Sequence, residues 1–444
     1  MSTVPMSTVL VCDSCGLTMP ERSREVQCTR CGGLLAARHP APALCGADLR
    51  AHFDARLAAR SWRGGGGAAH SGVWRFRELV MPGVRPARAV SQPEGNTPLL
   101  ARDAVARWCG ADGLLLKHEG HNPTGSFKDR GMTVAVTHAR EVGATAVACA
   151  STGNTSSSLA AYAALAGIPA LVFVPAGRVA LGKLAQTLAY GARTLLVRDD
   201  FDACLRLARE SADHLGVYLA NSINPFRLEG QKTIVFELLQ QLAWESPSWI
   251  VVPAGNLGNT SAFGAALRDA MAFGLVTRAP RIAAVQAAGA APFAASFRTG
   301  FRERFAVQAE TRATAIRIGD PASYDRAVRT IRETDGVVTS VTDAEILEAK
   351  AVVDAAGVGC EPASAASVAG VRQLVRSGVI APGARVVAVL TGHLLKDPGG
   401  GHEPHESHGE AGAAPAANVP VEVDATREAV ERVLAALDRA GEAP

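Results

Sequence analysis

Short apolar runs alternate with longer amphipathic stretches from about residue 95 to residue 397. The runs GLLLKHE, TAVACAST, PALVFVPA, TLLVR, WIVVPAG, RIAAVQA and RVVAVLTG are rich in β-branched or small apolar residues and too short for helices. Between them lie Ala- and Leu-rich stretches of helical period. This alternation predicts parallel sheets covered by helices, an α/β class. A span of roughly 300 residues exceeds one ordinary doubly wound unit, so two doubly wound parallel-sheet subdomains sharing a cleft are expected.

Outside that body the pattern changes. Residues 1–36 carry a cysteine framework, residues 37–94 read as an N-terminal linker and extension that includes RGGGGAAHSG at 63–72, and residues 95–397 are the body. Residues 398–418, PGGGHEPHESHGEAGAAPAAN, form a Gly/Pro/Ala-rich insert expected to be disordered. Its His402, His405 and His408 are three apart, a spacing open to weak metal capture but also ordinary in a solvated linker. Residues 419–444 read as one strand and a capped amphipathic helix, with Asp424 or Thr426 as N-cap.

Of nine cysteines, Cys45, Cys109, Cys149, Cys204 and Cys360 are scattered among apolar or small residues and read as small hydrophobes. Cys12, Cys15, Cys28 and Cys31 instead form C-x2-C-x12-C-x2-C, with glycine after each pair. Two such knuckles present four thiolates to one tetrahedral ion, so a structural zinc ribbon is expected, with a disulfide pair or a site that has lost its metal as the other readings. Four thiolates leave no open position, so this zinc is not expected to be catalytic.

The formal charge is +3, from 45 basic and 42 acidic residues well interspersed. No basic field for nucleic acid is present, which favours a small-molecule partner. No apolar run reaches the roughly 18 residues of a membrane helix, and the first residues lack the pattern of a secretory signal. The expected location is cytoplasmic, without membrane or nucleic-acid partners.

Several strand ends carry small polar residues. TAVACA ends in STGNTSSS before a helical stretch, placing N–H groups and hydroxyls at a helix N-terminus, where anions bind. WIVVPA ends in GNLGNTSAF, a tight turn that either cradles a phosphate or serves close helix packing. VVAVLTGHLLKDP closes a buried strand with Thr391. In open α/β sheets ligands bind outside the carboxyl ends of the strands, so these ends converge on one cleft. Lys128, within HNPTGSFKDRG, is then either a solvated charge or a nucleophile. There is no GxGxxG dinucleotide fingerprint and no GxxxxGK[ST] loop. A lysine beside a phosphate-binding turn therefore points to a Schiff base with pyridoxal phosphate.

EGNTPLL (94–100), NPTGSFKDRGM (122–132), STGNTSSSLAAYAALAG (151–167), NSINPFRLEGQKT (221–233), PAGNLGN (253–259), TAIRIGDPAS (314–323), EPASAAS (361–367) and TGHLLKDP (391–398) resemble, in this order, the threonine synthase family. The resemblance covers most of the chain, including the zinc ribbon that a subset of the family carries. It implies fold type II of the pyridoxal-phosphate enzymes, a lyase of threonine biosynthesis, with a homodimer as one option for assembly. Lys128 would hold the coenzyme and later shuttle protons. Asn154 would meet the phenolic oxygen, Gly255, Asn256, Leu257, Gly258 and Asn259 the coenzyme phosphate, and Thr391 the ring nitrogen.

The family substrate is O-phosphohomoserine, which loses phosphate from its γ-carbon and gains water at its β-carbon. Asn221, Ser222 and Arg227 match the family positions that receive the substrate phosphate; an arginine fork suits a dianion. Thr155 and Lys183 are further candidates, Lys183 also having a surface-charge reading, and Ser151 or Thr152 would meet the substrate carboxylate. Three departures from the family pattern, Leu394, His121 and Leu257, bear on the wall of the cleft. The rival enzymes are a paralogue replacing the β-substituent of O-phosphoserine, as cysteate synthases do, and a dehydratase; a zinc-ribbon binding module without catalysis is the non-enzymatic rival.

Overall fold

The protein was analysed as a computed structural model that describes residues 7–58, 70–176, 181–199 and 201–397, together with Arg427. The glycine-rich part of the expected linker, the insert at 398–418, the side chain of Lys183 and, apart from helical Arg427, the expected strand and helix at 419–444 lie outside the described residues. Residues Met1–Gly400 form one compact unit and Gly401–Pro444 another.

Thirteen strands are described within the first unit: β1 (Val9–Cys12), β2 (Thr18–Pro20), β3 (Leu35–Arg38), β4 (Leu99–Ala101), β5 (Leu114–His118), β6 (Ala146–Ala150), β7 (Ala170–Pro175), β8 (Arg193–Val197), β9 (Val217–Leu219), β10 (Trp249–Pro253), β11 (Arg281–Ala287), β12 (Val337–Val341) and β13 (Val386–Leu390). The helices are α1 (Gly46–Ala58), α2 (Asp103–Cys109), α3 (Lys128–Glu141), α4 (Asn154–Ala166), α5 (Leu181–Ala189), α6 (Phe201–Leu215), α7 (Pro225–Gln241), α8 (Gly258–Ala272), α9 (Pro292–Arg298), α10 (Tyr324–Glu333), α11 (Asp343–Ala355) and α12 (Pro362–Arg376).

Two parallel sheets make the body, as the alternating pattern predicts. The larger runs β12-β11-β10-β13-β5-β4, parallel except where β4 meets β5. The smaller runs β8-β7-β6-β9 and is wholly parallel. The last of the described strands, β13, lies between β5 and β10, so chain order reverses there. Its register pairs Leu390 with His118, which brings Thr391 beside the segment leading to Lys128. A ligand crevice opens outside strand ends at such a reversal.

Helix α7 is buried along Pro225–Gln240, so no solvent-facing stripe exists in its pattern. Its start is locally encoded: the Asn224 side chain accepts from the N–H groups of Phe226 and Arg227, and Pro225 occupies the first helical position. It crosses α3 closely. A Cβ at Gly230 would stand 1.8 Å from the carbonyl oxygen of Arg130, and one at Gly131 would stand 2.8 Å from that of Arg227. Glycine at both crossing points lets the backbone of the lysine helix meet that of the arginine helix.

Behind α3 lies a buried charge network. Arg130 donates to Glu119 at 2.6 and 2.8 Å and to Glu237 at 2.7 Å, while Lys117 and Arg75 donate to Glu237 at 2.7 and 3.4 Å. Thr97 N–H and Asn96 N–H also donate to Glu237. These cations hold the Glu237 carboxyl far below the usual carboxylate range, against the opposing effect of burial. Glu237→Gln is therefore expected to cost about 3–5 kcal/mol in urea unfolding at neutral pH, because it leaves buried cations uncompensated. A depressed pKa means that Glu237 contributes its full stability above the unfolded value near pH 4.3 and loses it progressively as pH falls below that. The difference between wild type and variant should shrink in acid.

The first strands, in the order β2-β1-β3, build an antiparallel module. Leu10 and Leu35 join the same apolar cluster as Phe226 and Leu228 of α7. His39 Nε2 meets Glu229 at 2.9 Å, Arg24 donates to the carbonyls of Val142 and Gly143 at 2.9 Å, and Asp13 pairs with Arg326. His138 of α3 stacks on Phe226 with ring centroids 3.6 Å apart and places Nε2 2.7 Å from the Glu21 carbonyl. The module thus packs on the backs of α3 and α7. Within residues 37–94, Phe53, Trp74 and Phe76 are buried against Phe236 and Trp244, so much of this segment supplies core.

Candidate active site

The loop Asn122–Phe127 is shaped by its own sequence and then stitched to the end of β13. Gly125 takes φ +87° and donates its N–H to the Asn122 carbonyl at 2.8 Å, closing a tight turn around Pro123. Asp129 accepts from Thr124 N–H and hydroxyl at 2.7 and 2.6 Å and from Ser158 at 2.6 Å. Phe127 N–H donates to the Thr391 carbonyl at 3.0 Å and His393 N–H to that of Gly125 at 2.9 Å. Lys128 opens α3 in the cleft, and Phe127 packs partly buried against the core, with the Lys128 ammonium 4.1 Å from its ring centre.

Burial draws the Lys128 ammonium down to about 7, and the nearby Arg227 cation pushes the same way while Glu361 opposes both. No carboxylate among the described residues lies within ion-pair distance of Lys128. An amine in that state is neutral for much of the time at physiological pH, as a nucleophile requires.

Asn154 and Thr391, expected at opposite parts of the coenzyme ring, meet through a third residue. Asn154 Nδ2 donates to Glu361 at 2.9 Å, and the Thr391 hydroxyl donates to the other oxygen of that carboxyl at 3.2 Å. Ser364 lies 3.0 Å from the Thr391 oxygen and accepts the N–H of Gly392 at 2.9 Å. Glu361 is buried, and desolvation raises its pKa despite these donors. The motif EPASAAS was legible, but nothing local assigns its glutamate to the cleft. It precedes a helix-opening proline, the position of an N-cap, yet its side chain makes no cap.

The turn Gly255–Asn259 joins β10 to α8. Leu257 takes φ +63°, turning the chain so that the first N–H groups of α8 face outward. A Cβ on Gly255 would stand 2.9 Å from the Ile316 Cα, so the TAIRIGDPAS segment closes over the turn. Asn256 is held on both sides, donating to Ser222 at 2.6 Å and accepting from Ala322 N–H at 2.6 Å. Asn259 Oδ1 and Thr260 Oγ1 are buried without a hydrogen-bond partner.

Arg227 is 1 % exposed and gives one nitrogen to the Ala220 carbonyl at 3.0 Å. Its Nε and second terminal nitrogen have no partner. Burial draws its pKa down to about 10. Such orphaned donors on a buried cation describe a recess made for an anion. Ser222, tied to Asn256, joins this recess to the turn at Gly255–Asn259. Asn221 differs from expectation in one respect: its amide both accepts from and donates to the main chain of Ala150, at 3.1 Å each way, so it braces the start of the STGNT turn. A single N–H remains for any ligand.

Ser151, Thr152 and Thr155 are partly buried around the start of α4, and Ser151 accepts from Gly153 N–H at 3.3 Å. Two residues that sequence did not single out complete the wall. Asp129 is lifted by burial to about 6, and Lys396 reaches Thr124, Ser157 and Gln186 at 3.1, 2.9 and 2.5 Å. Of the departures, Leu394 lies against Gly359 and is 37 % exposed, while His121 is exposed and meets the His118 ring edge-on.

The four N-terminal thiols also converge. Cys12 and Cys31 sulfurs are 3.5 Å apart, Cys15 and Cys28 3.6 Å, and all four lie within 4.8 Å of one another. Gly16 and Gly32, each with φ +70°, turn the knuckles and return N–H groups to the carbonyls of Cys12 and Cys28.

Residues 90–392 match the family model described as pyridoxal-phosphate dependent enzyme. The threonine synthase of Methanosarcina acetivorans is 50 % identical over 73 % of this chain and 80 % of its own. Threonine synthase 2 of Arabidopsis thaliana is 40 % identical over 91 % of this chain and 79 % of its own. Among solved structures, threonine synthase from Escherichia coli shares the fold with a TM-score of 0.66 at 18 % identity, covering 90 % of this chain and 93 % of that one. The chain belongs to the pyridoxal-phosphate-dependent enzymes and, within them, to the threonine synthase family.

Proposed function

We propose that the protein converts O-phosphohomoserine and water to threonine and phosphate, working through Lys128. The observation that carries this reading is the buried Arg227, with two unpartnered nitrogens, on the helix packed against the one that Lys128 opens. A substrate carrying a phosphate that must leave needs such a second anion recess beyond the one for the coenzyme.

The residues present fit pyridoxal phosphate. The glycine at 255 keeps clear a turn that a side chain would fill, the buried Thr260 hydroxyl next to it has no partner, and Lys128 is a partly buried amine that no carboxylate among the described residues pairs. Gly255 to Asn259 would hold its phosphate, Asn154 and Thr391 would meet its ring, and Lys128 would bind it covalently. When bound, the coenzyme supplies an electron-withdrawing ring that acidifies the C–H bonds of an attached amino acid.

The chain's own groups do the rest. Arg227 and Ser222 hold the departing phosphate, with Thr155 as a further ligand and Asn221 bracing the neighbouring turn. Ser151 and Thr152 at the α4 N-terminus orient the substrate carboxylate. Lys128, once free, accepts a proton from the α-carbon and returns it on the same face of the substrate.

The test is product analysis. Purified protein is supplied with O-phosphohomoserine or O-phosphoserine, and phosphate release and amino-acid product are measured. Threonine from O-phosphohomoserine alone supports the reading; turnover of O-phosphoserine alone overturns it.

We read residues 1–36 as a structural zinc ribbon attached to the catalytic body at 95–397. The sulfur spacings approach the roughly 3.8 Å of a zinc–thiolate tetrahedron. One zinc per chain is expected by metal analysis. Substituting Cys15 and Cys28 by serine should lose the metal and lower the thermal midpoint by about 5 °C, because the module packs against α3 and α7.

A further inference from the structure

We propose that Glu361 is a positioning residue of the coenzyme cleft: its carboxyl group orients Asn154 and Thr391 together and decides whether the Thr391 hydroxyl offers the ring nitrogen its hydrogen or its lone pair. This rests on the reading that Asn154 and Thr391 face the ring.

The geometry is that of a built site. Glu361 is 2 % exposed and makes no ion pair among the described residues. Its two oxygens go to Asn154, which opens α4 beside the smaller sheet, and to Thr391, which follows β13 of the larger. One side chain therefore spans the cleft. Gly392 makes room for it: a Cβ there would stand 2.4 Å from the carboxyl carbon and 2.5 and 2.6 Å from its oxygens. The glycine of TGH is thus required by space for this carboxyl. Glu361 also forgoes the helix cap that its position before Pro362 would offer, so its direction serves the cleft and not α12.

A hydroxyl carries one hydrogen. With Glu361 ionised, that hydrogen is held by the carboxylate, and Thr391 would have none to give an unprotonated ring nitrogen. With Glu361 protonated, the carboxyl donates to Thr391, whose own hydrogen is free for an unprotonated nitrogen. The threonine would then be a switchable contact, and its hydrogen bond to the ring nitrogen would follow the charge of Glu361. Ser364 completes the chain on the other side of Thr391. The titrating groups that face Glu361 are Lys128, Lys396, Asp397 and Cys360, so its charge responds to the reaction's own lysine.

The experiment loads wild-type and Glu361→Gln apo-protein with coenzyme labelled with nitrogen-15 in the ring. The ring-nitrogen resonance and visible absorbance are followed from mildly acid to mildly alkaline pH. The wild-type resonance should move with pH. In the glutamine variant, whose amide donates to Thr391 and cannot ionise, it should stay at the unprotonated position, with coenzyme binding about tenfold weaker. Gly392→Ala, which displaces the carboxyl without removing it, should behave likewise and serves if the first variant fails to fold. A wild-type resonance that does not move with pH, or a glutamine variant matching wild type in affinity and pH response, overturns the role of Glu361. Wild-type protein that takes up no coenzyme would instead overturn the reading of the cleft itself.

Discussion

Lys128→Ala is expected to fold, to lose the visible absorbance of covalently held coenzyme and to slow turnover by about 10,000-fold or more. The substitution removes both a nucleophile and a proton carrier, and proton transfer alone accounts for roughly 100- to 10,000-fold. Stability should not suffer. A partly buried ammonium without an ion-pair partner is costly, and the pKa drawn down to about 7 expresses that cost. The sign follows directly. Between about pH 7 and the unfolded lysine value near 10.4 the unfolded chain binds the extra proton, so wild-type stability gains with rising pH relative to the alanine variant. The rate at which wild-type apo-protein takes up coenzyme should climb through about pH 7 and then level off, because only the neutral amine attacks an aldehyde. Absorbance after rapid mixing measures this; a rate still climbing above about pH 9 without levelling would place Lys128 in bulk solvent.

Arg227→Met should raise KM for the phosphorylated substrate by about 100-fold or more, with a smaller effect on coenzyme binding. Two charge-assisted hydrogen bonds to a dianion are lost, each contributing on the order of 1.5–3 kcal/mol. The effect on the free protein has the opposite sign. The cation is buried with two nitrogens unpartnered, so replacing it by an apolar side chain of similar length should leave the apo-protein as stable or more so. Inorganic phosphate should raise the thermal midpoint of wild type and leave the variant's unchanged, since a ligand stabilises only the state that binds it. Arg227→Lys tests the fork itself: a point charge should restore a fraction of the affinity.

Much of the molecule was legible because its signals are local. Strand runs and helical periods foretold parallel sheets, and each βα junction announced itself through small polar residues. The lysine loop, the turn at Gly255–Asn259 and the four-cysteine framework stood out by spacing alone. Arg227 could be placed at a helix start from NPFR. Asn221 is the instructive case among the named residues: its type and position suited a phosphate ligand, and the structure commits its amide oxygen and one N–H to Ala150, leaving a single N–H for a ligand. Leu394, one of the departures from the family pattern, lies over Gly359 and is exposed. Sequence names a side chain's chemistry and leaves its direction open.

The order of small and apolar residues was sufficient by itself for the fold class, the helix starts and the tight turns, and it singled out Lys128 as the candidate amine, since each depends on neighbours within a few positions. Tertiary structure alone decided which charges remain unpaired. The Glu361 link between Asn154 and Thr391, the buried network around Glu237 and the empty donors of Arg227 join residues tens to hundreds of positions apart. Desolvation depends on what surrounds a group in space, and no short window of sequence contains that information.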